Sequence, residues 1–245
     1  MTTTPLAPAS LAETMSRLRG AQKGHARGAP AYSVYVNRRI GRLLAAVAYR
    51  IGLTPNQVTL VSAAHTFVGI ALIATLPPTW WSGILIGVLL VLGYAWDSAD
   101  GQVARLRGGG SIAGEWLDHF VDAFKIASLH LAVLIGLYRF GGFDDRVMLV
   151  PIGFSVVATA TFFGMILNDL LKGARGVAST HVRAGGTFGR SMLLLPTDFG
   201  VLCLAFLLWG VPPLFLFVYG VLFVVNALFL VAAAVKWFSE MRRVG

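Results

Sequence analysis

From residue 55 to residue 237, apolar residues run on with few interruptions, and the polar positions gather in short clusters between the runs. Runs of about 20 apolar residues are long enough to cross a bilayer as helices. They predict six spans, at about 55–76, 80–106, 111–139, 147–172, 191–210 and 212–237. The runs are continuous rather than alternating, which argues against a β-barrel. Pro77 and Pro78, Gly108 to Gly110, Gly141 and Gly142, and Pro212 and Pro213 punctuate them. Thr54 and Pro55 supply a helix start, with Thr54 as N-cap and Pro55 at the first helical position. Residues 32–52 follow a different rhythm. Arg38, Arg39, Arg42 and Arg50 flank an apolar face of Ile40, Leu43, Leu44, Val47 and Ile51 at helical spacing. That pattern predicts an amphipathic helix lying in the headgroup region. Residues 1–31 are polar, basic and rich in Ala, Gly and Pro, and lack the apolar core of a signal peptide. They are expected to form a disordered cytoplasmic tail. The expected fold class is all-α membrane protein, a six-helix domain at 53–240 behind one interfacial helix.

Composition agrees. Of 245 residues, 56% are apolar and 13% charged, and the mean hydropathy is +0.73. A water-soluble domain of this length is excluded on those values. The single cysteine, Cys203, falls within an apolar run, so there is no disulfide framework. Charge predicts orientation. Eight basic residues precede the first span, Arg105 and Arg107 follow the second, four lie in 172–190, and Lys236, Arg242 and Arg243 close the chain. All of these share one side if the N-terminus is cytoplasmic, whereas Arg139 and Arg146 fall outside and Lys125 lies within a span. The net charge of +9 then reflects topology and contact with anionic membrane lipids. No nucleic acid partner is expected, because no soluble domain exists to carry a groove reader.

Four aspartates break the apolar pattern. Asp97 and Asp100 end the second span, and Asp118 and Asp122 begin the third. Carboxylates at membrane depth are costly and mark function. Asp97 and Asp100 stand at i,i+3 and Asp118 and Asp122 at i,i+4, so each pair shares a helix face. A tight turn at 107–110 is expected to make the two helices antiparallel neighbours, turning the pairs toward each other. Oxygen ligands without Cys or His at matching spacing favour Mg²⁺ or Mn²⁺ over zinc. Four carboxylates suit two ions clamping a diphosphate. Gly101 and Gly114 permit close approach of a ligand or a facing backbone, and Arg105 can fork onto phosphate oxygens.

The run Asp97, Asp100, Gly101, Ala104, Arg105, Gly114, Asp118, Asp122 resembles, at every fixed position and spacing, the signature of the CDP-alcohol phosphotransferase family. Residues 36–59 also resemble the family's entry, with Asn37, Arg38 and Arg39 followed by Thr54, Pro55, Asn56 and Thr59. The resemblance implies that a hydroxyl attacks the alcohol-bearing phosphorus of a CDP-alcohol and that CMP leaves. It implies two Mg²⁺ or Mn²⁺ ions on Asp97, Asp100, Asp118 and Asp122, with Asp122 also the base for the acceptor hydroxyl. It places Gly101, Ala104 and Gly114 at the cytidine, Arg105 at the nucleotide phosphates, and Asn56 and Thr59 near the diphosphate. It also implies a homodimer. The expected donor is CDP-diacylglycerol and the expected acceptor a small polar alcohol, a polyol or a polyol phosphate such as inositol phosphate or glycerol phosphate. A soluble CDP-alcohol donor with a lipid or polyol acceptor would use the same chemistry.

Lys172, Arg175, Arg183 and Arg190 lie in the basic stretch 172–190 and are the candidates for holding a phosphorylated acceptor. The paired Glu/Arg run of family members with such acceptors is absent after this stretch. Asp169 and Asp198, at span ends, are read as partners for basic loop residues or the acceptor. Glu115 falls near the Asp118 and Asp122 face as a supporting residue. His65, His119, His130 and His181 are read as packing or interfacial residues, and Trp80, Trp81, Trp209 and Trp237 as an interface belt. Two rivals differ in class. Intramembrane prenyltransferases also present paired Asp motifs, but have more spans and no Asp-Gly-x-x-Ala-Arg run. A divalent cation transporter requires polar groups across the whole bilayer, whereas the far halves of these spans are apolar.

Overall fold

The computed structural model describes residues 11–20, 26, 28–177 and 185–244. Its helices in chain order are α1 (Leu11–Gly20), α2 (Arg38–Arg50), α3 (Pro55–Thr75), α4 (Trp80–Leu106), α5 (Ile112–Phe140), α6 (Leu149–Ala174), α7 (Phe188–Leu193), α8 (Phe199–Ala205) and α9 (Pro212–Val244). Five of them, α3, α4, α5, α6 and α9, are long and apolar enough to cross a membrane. The starts of three are written locally. Thr54 and Gln57 form a reciprocal capping box on α3, as Thr79 and Ser82 do on α4, and Ser111 accepts from Gly114 N at 3.0 Å on α5.

The all-helical membrane architecture matches the expectation, but residues 191–210 are not one long span. They divide into α7, a 3₁₀ turn at Leu195–Thr197, α8, and a second 3₁₀ turn at Phe206–Leu208. Pro196 cannot donate to the preceding turn, and Asp198 starts a new helix by accepting from Gly200 N at 3.0 Å. Phe199–Leu208 therefore runs alongside only the half of α4 remote from the aspartates, from Tyr94 to Trp80. Beside the start of this short helix sits the segment before α2. Asp198 accepts Ser33 N at 2.7 Å and Ser33 Oγ at 3.2 Å, and the Tyr32 ring lies against Gly200. Asp198 thus anchors the entry of the interfacial helix instead of pairing with loop cations.

A π-helical turn, Ser33–Asn37, leads into α2. Gly41 lets α2 lie against α4, since a Cβ there would stand 2.9 Å from Ser98 Cβ. Ala45, Ala46 and Ala48 are fully buried, while Leu43, Val47 and Ile51 form an outward apolar stripe at four-residue intervals. The N-terminal tail also departs from expectation. Residues Leu11–Gly20 form α1, and Leu18 is buried in a cluster with Ala45, Val58 and Val103. Its apolar residues recur at helical spacing, so a short helix gains a packing surface once α2 and α4 are in place.

The packing order around the site is the main correction. α3 packs along both α4 and α5, whereas α4 and α5 make little direct contact. Small residues draw α3 onto α4: Ser62 Oγ donates to Gly93 O at 2.9 Å, and Gly69 faces Leu90. A glycine draws α3 onto α5, where a Cβ on Gly136 would stand 2.5 Å from Ile73 O. The α4–α5 turn, with Gly108 at φ 95° and Gly109 at φ 135°, joins helices that flank a third. The far end is filled by Trp209, Phe206, Phe215, Tyr219, Ile73 and Leu137. Trp209, 1% exposed, is therefore a core residue and not part of an interface belt, and Trp237 packs on Gly164. Trp80 and Trp81 are exposed, as a belt requires.

Candidate active site

Because α3 separates α4 from α5, a cleft opens between them where the aspartates stand. A cavity of about 260 Å³ occupies it, walled by Asp97, Asp100, Gly101, Arg105 and Asp118, with Arg38, Ser98 and Gln102 from the α2–α4 contact. Asp97, Asp100 and Asp118 each offer a carboxylate oxygen, and these oxygens all lie within 4.8 Å of one another. Three hard, anionic oxygens converging at that separation fit a Mg²⁺ or Mn²⁺ ion. Bringing them together without a cation would leave strong repulsion in a half-buried site.

The third wall, α3, holds the carboxylates in place. Thr59 Oγ1 donates to Asp100 Oδ2 at 2.7 Å, and Ser62 Oγ approaches Asp97 Oδ1 at 3.4 Å. Asn56 Oδ1 faces Gly114, where an added Cβ would stand 3.1 Å away. Asn56 and Gly114 thus meet where α3 and α5 enter the site. Gly101 has open space before it, with Arg105 Nη1 as the nearest group at 3.6 Å from a built Cβ. Arg105 lines the cavity, and its Nε is buried with no hydrogen-bond partner among the described residues. A phosphate oxygen is a fitting acceptor for such a group. Ala104 is buried one turn behind Gly101.

Two residues of the site escaped the sequence reading. Lys125, 4% exposed, reaches Asp97 Oδ1 at 2.6 Å, Asp122 Oδ1 at 3.1 Å and Ser62 Oγ at 3.1 Å. A lysine inside an apolar span, three residues after Asp122, was the signal. Arg38, at the start of α2, forms part of the cavity wall. Burial lowers the pKa of its guanidinium, and an arginine stays protonated regardless. Arg38 looked like an interfacial charge because only the docking of α2 on α4 brings it to the aspartates.

Other candidates lie elsewhere. Lys172 is buried on α6 and paired with Glu240 Oε2 of α9 at 2.6 Å. Arg175 and Arg190 are exposed, and His181 and Arg183 lie outside the described residues. Glu115 is exposed and lies 4.0 Å from His119. His130 packs on Phe154 and bonds Tyr219 Oη at 2.6 Å, and His65 Nδ1 lies 2.8 Å from Val61 O.

A multi-pass helical bundle with an aspartate cluster and an arginine-lined cavity at one end defines an integral membrane enzyme built to handle a metal-bound anion. Residues 52–237 match the family model described as CDP-alcohol phosphatidyltransferase, and the chain belongs to that family. It is a CDP-alcohol phosphotransferase, a divalent-metal-dependent membrane transferase of phospholipid biosynthesis. It is similar to the phosphatidylinositol phosphate synthase of Corynebacterium glutamicum, at 40% identity over 161 residues covering 64% of this chain and 67% of that protein. It is also similar to the archaetidylinositol phosphate synthase of Pyrococcus horikoshii, at 34% identity over 98 residues covering 40% of this chain and 47% of that protein. The fold resembles the crystal structure of Mycobacterium tuberculosis phosphatidylinositol phosphate synthase with CDP-DAG bound. The TM-score is 0.55 at 22% identity, with 83% of this chain and 94% of that chain covered. A second structure of that synthase, in complex with manganese and citrate, gives a TM-score of 0.50.

Proposed function

We propose that this protein transfers a phosphatidyl group from CDP-diacylglycerol to a hydroxyl of inositol phosphate, releasing CMP. The observation that carries this reading is the similarity to synthases named for inositol phosphate lipids, from a bacterium and an archaeon. The cavity agrees: it is polar, lies at the ends of membrane helices, and carries two guanidinium groups on its wall.

Asp97, Asp100 and Asp118 hold the divalent metal, Mg²⁺ or Mn²⁺. When bound it supplies Lewis-acid neutralisation of the diphosphate. Arg105 and Arg38 bind the phosphate oxygens, and Gly101, Ala104, Gly114 and Asn56 shape the cytidine and diphosphate pocket. Thr59 orients Asp100. The acceptor oxygen attacks the phosphorus bearing the diacylglycerol and forms the new P–O bond. The bond from that phosphorus to the oxygen shared with the cytidylyl phosphate breaks, and its electron pair leaves with CMP. Asp122 takes the hydroxyl proton. Its Oδ1 is held by Lys125, so Oδ2 is the oxygen that receives it. Arg175 and Arg190, exposed in the basic stretch after α6, are the candidates for the acceptor phosphate.

The N-terminus and site face the cytoplasm, on the distribution of basic residues, and the enzyme works as a homodimer, as the family resemblance implies. α2 lies in the headgroup layer with Leu43, Val47 and Ile51 toward the acyl chains. One observation favours a second acceptor: the Lys172–Glu240 pair engages one of the four candidate cations, which suits an unphosphorylated polyol. The test is CMP release by purified protein with Mn²⁺ or Mg²⁺, CDP-diacylglycerol and a panel of polyols and polyol phosphates. Inositol phosphate is expected to give the highest rate. A higher rate with an unphosphorylated polyol would favour the second acceptor, and no CMP from any cytidine donor would sink the reading.

A further inference from the structure

We infer that Lys125 is a permanent cation of the aspartate site, standing in place of a second metal ion, so that each chain binds one divalent ion and not two. The inference rests on the metal-dependent reading of Asp97, Asp100 and Asp118.

The lysine ammonium has three N–H donors, and three acceptors surround it: Asp97 Oδ1 at 2.6 Å, Asp122 Oδ1 at 3.1 Å and Ser62 Oγ at 3.1 Å. They come from three helices, α4, α5 and α3, so the group is fixed by the same packing that forms the cleft. The Lys125 side chain is only 5% exposed. Withdrawing the ammonium from these partners would leave a buried charge unpaired, which is strongly unfavourable.

The four aspartates therefore divide unequally. Asp97, Asp100 and Asp118 present oxygens close enough to share one ion. Asp122 joins the cluster through Lys125, with its Oδ1 and Asp97 Oδ1 on the same ammonium. A second divalent ion bridging Asp97 and Asp122 would sit against the lysine charge, where two cations repel. The ammonium already performs two tasks of such an ion. It neutralises Asp122 in part and fixes its position beside the metal-binding trio. One ion and one lysine leave the four carboxylates with a single net negative charge, which Arg38 and Arg105 offset across the cavity.

The experiment uses full-length protein in detergent, stripped with chelator and titrated with Mn²⁺, with bound ions counted by electron paramagnetic resonance. The native chain is expected to bind one Mn²⁺ with an uncoupled spectrum. Lys125→Met, which keeps most of the side-chain bulk and removes the charge, is expected to bind a second Mn²⁺ and show spin coupling. Lys125→Arg is expected to stay at one. Two coupled ions in the native protein, no bound ion, or a count unchanged by Lys125→Met would each overturn the inference. If Lys125→Met does not fold, the native and Lys125→Arg counts decide. CMP release on the same native preparation separates this from the proposed reaction. One Mn²⁺ without CMP release would sink the reaction and leave the lysine's role standing, and two with CMP release would do the opposite.

Discussion

Around Trp209 the helices approach until little fits between them, and a Cβ on Gly136 would meet the carbonyl of Ile73 and the indole of Trp209 within 3 Å. Around Asp97, the same helices leave a cavity, and a Cβ on Gly101 would meet only Arg105, at 3.6 Å. α3 touches α4 and α5 at both ends, so the difference lies in what stands between α4 and α5. At the closed end aromatic and aliphatic side chains fill that space. At the open end it is lined by carboxylates and guanidinium groups, with Lys125 buried beside Asp97, and it cannot collapse without burying charge. A charged lining therefore keeps the site hollow where apolar residues would have closed it.

Substitutions can break this contrast, and the largest effect is expected at the open end. Asp118→Asn should lower CMP release about a thousandfold, since loss of metal stabilisation is worth several kcal/mol. Its thermal unfolding midpoint should hold or rise, because one source of repulsion is gone. A fall in stability as large as the fall in activity would show that the carboxylates support the fold. Asp122→Asn is expected to reduce kcat on the order of a hundredfold or more with little change in KM for the donor, as loss of a general base predicts. Equal loss through KM would mark Asp122 as a binding group. At the closed end the pattern should reverse. Gly136→Ala forces backbone to move and should cost about 1–3 kcal/mol of stability, read by thermal unfolding, while kcat per folded molecule stays near native. Thr59→Val removes the hydrogen bond to Asp100 and should raise the Mn²⁺ concentration needed for half-maximal activity roughly 10- to 100-fold. The smallest effect on folding belongs to Gly101→Ala. It should fold like the native chain and raise KM for the CDP-alcohol, because the methyl group enters the cavity and nothing else.

Much of the site is legible in the amino-acid sequence. The spacing of Asp97, Asp100, Asp118 and Asp122 follows helix geometry, which is local, so the shared faces could be read from residue numbers. Gly101, Arg105 and Gly114 belong to the same two helices and share that advantage. Lys125 was visible as a charge in a span but not as a partner of Asp97, which lies on another helix. Arg38 was less legible still, since its place depends on Gly41 seating α2 against Ser98. The broken span at 191–210 was hidden for a related reason. Hydropathy averages over Pro196 and Asp198, and the segment before α2 that docks on Asp198 lies 165 residues away in the chain.

Taken alone, the amino-acid sequence determined five long apolar helices, the Thr54 cap of α3 and the paired faces of the four aspartates, because bilayer thickness and helical periodicity act on neighbouring residues. Only the tertiary structure decided that α3 stands between α4 and α5, that the resulting cleft remains open, and that Lys125 fills part of its charge balance. Those outcomes depend on small residues meeting across helices, at Gly93 with Ser62 and at Gly136 with Ile73. Contacts between distant positions carry no period along the chain.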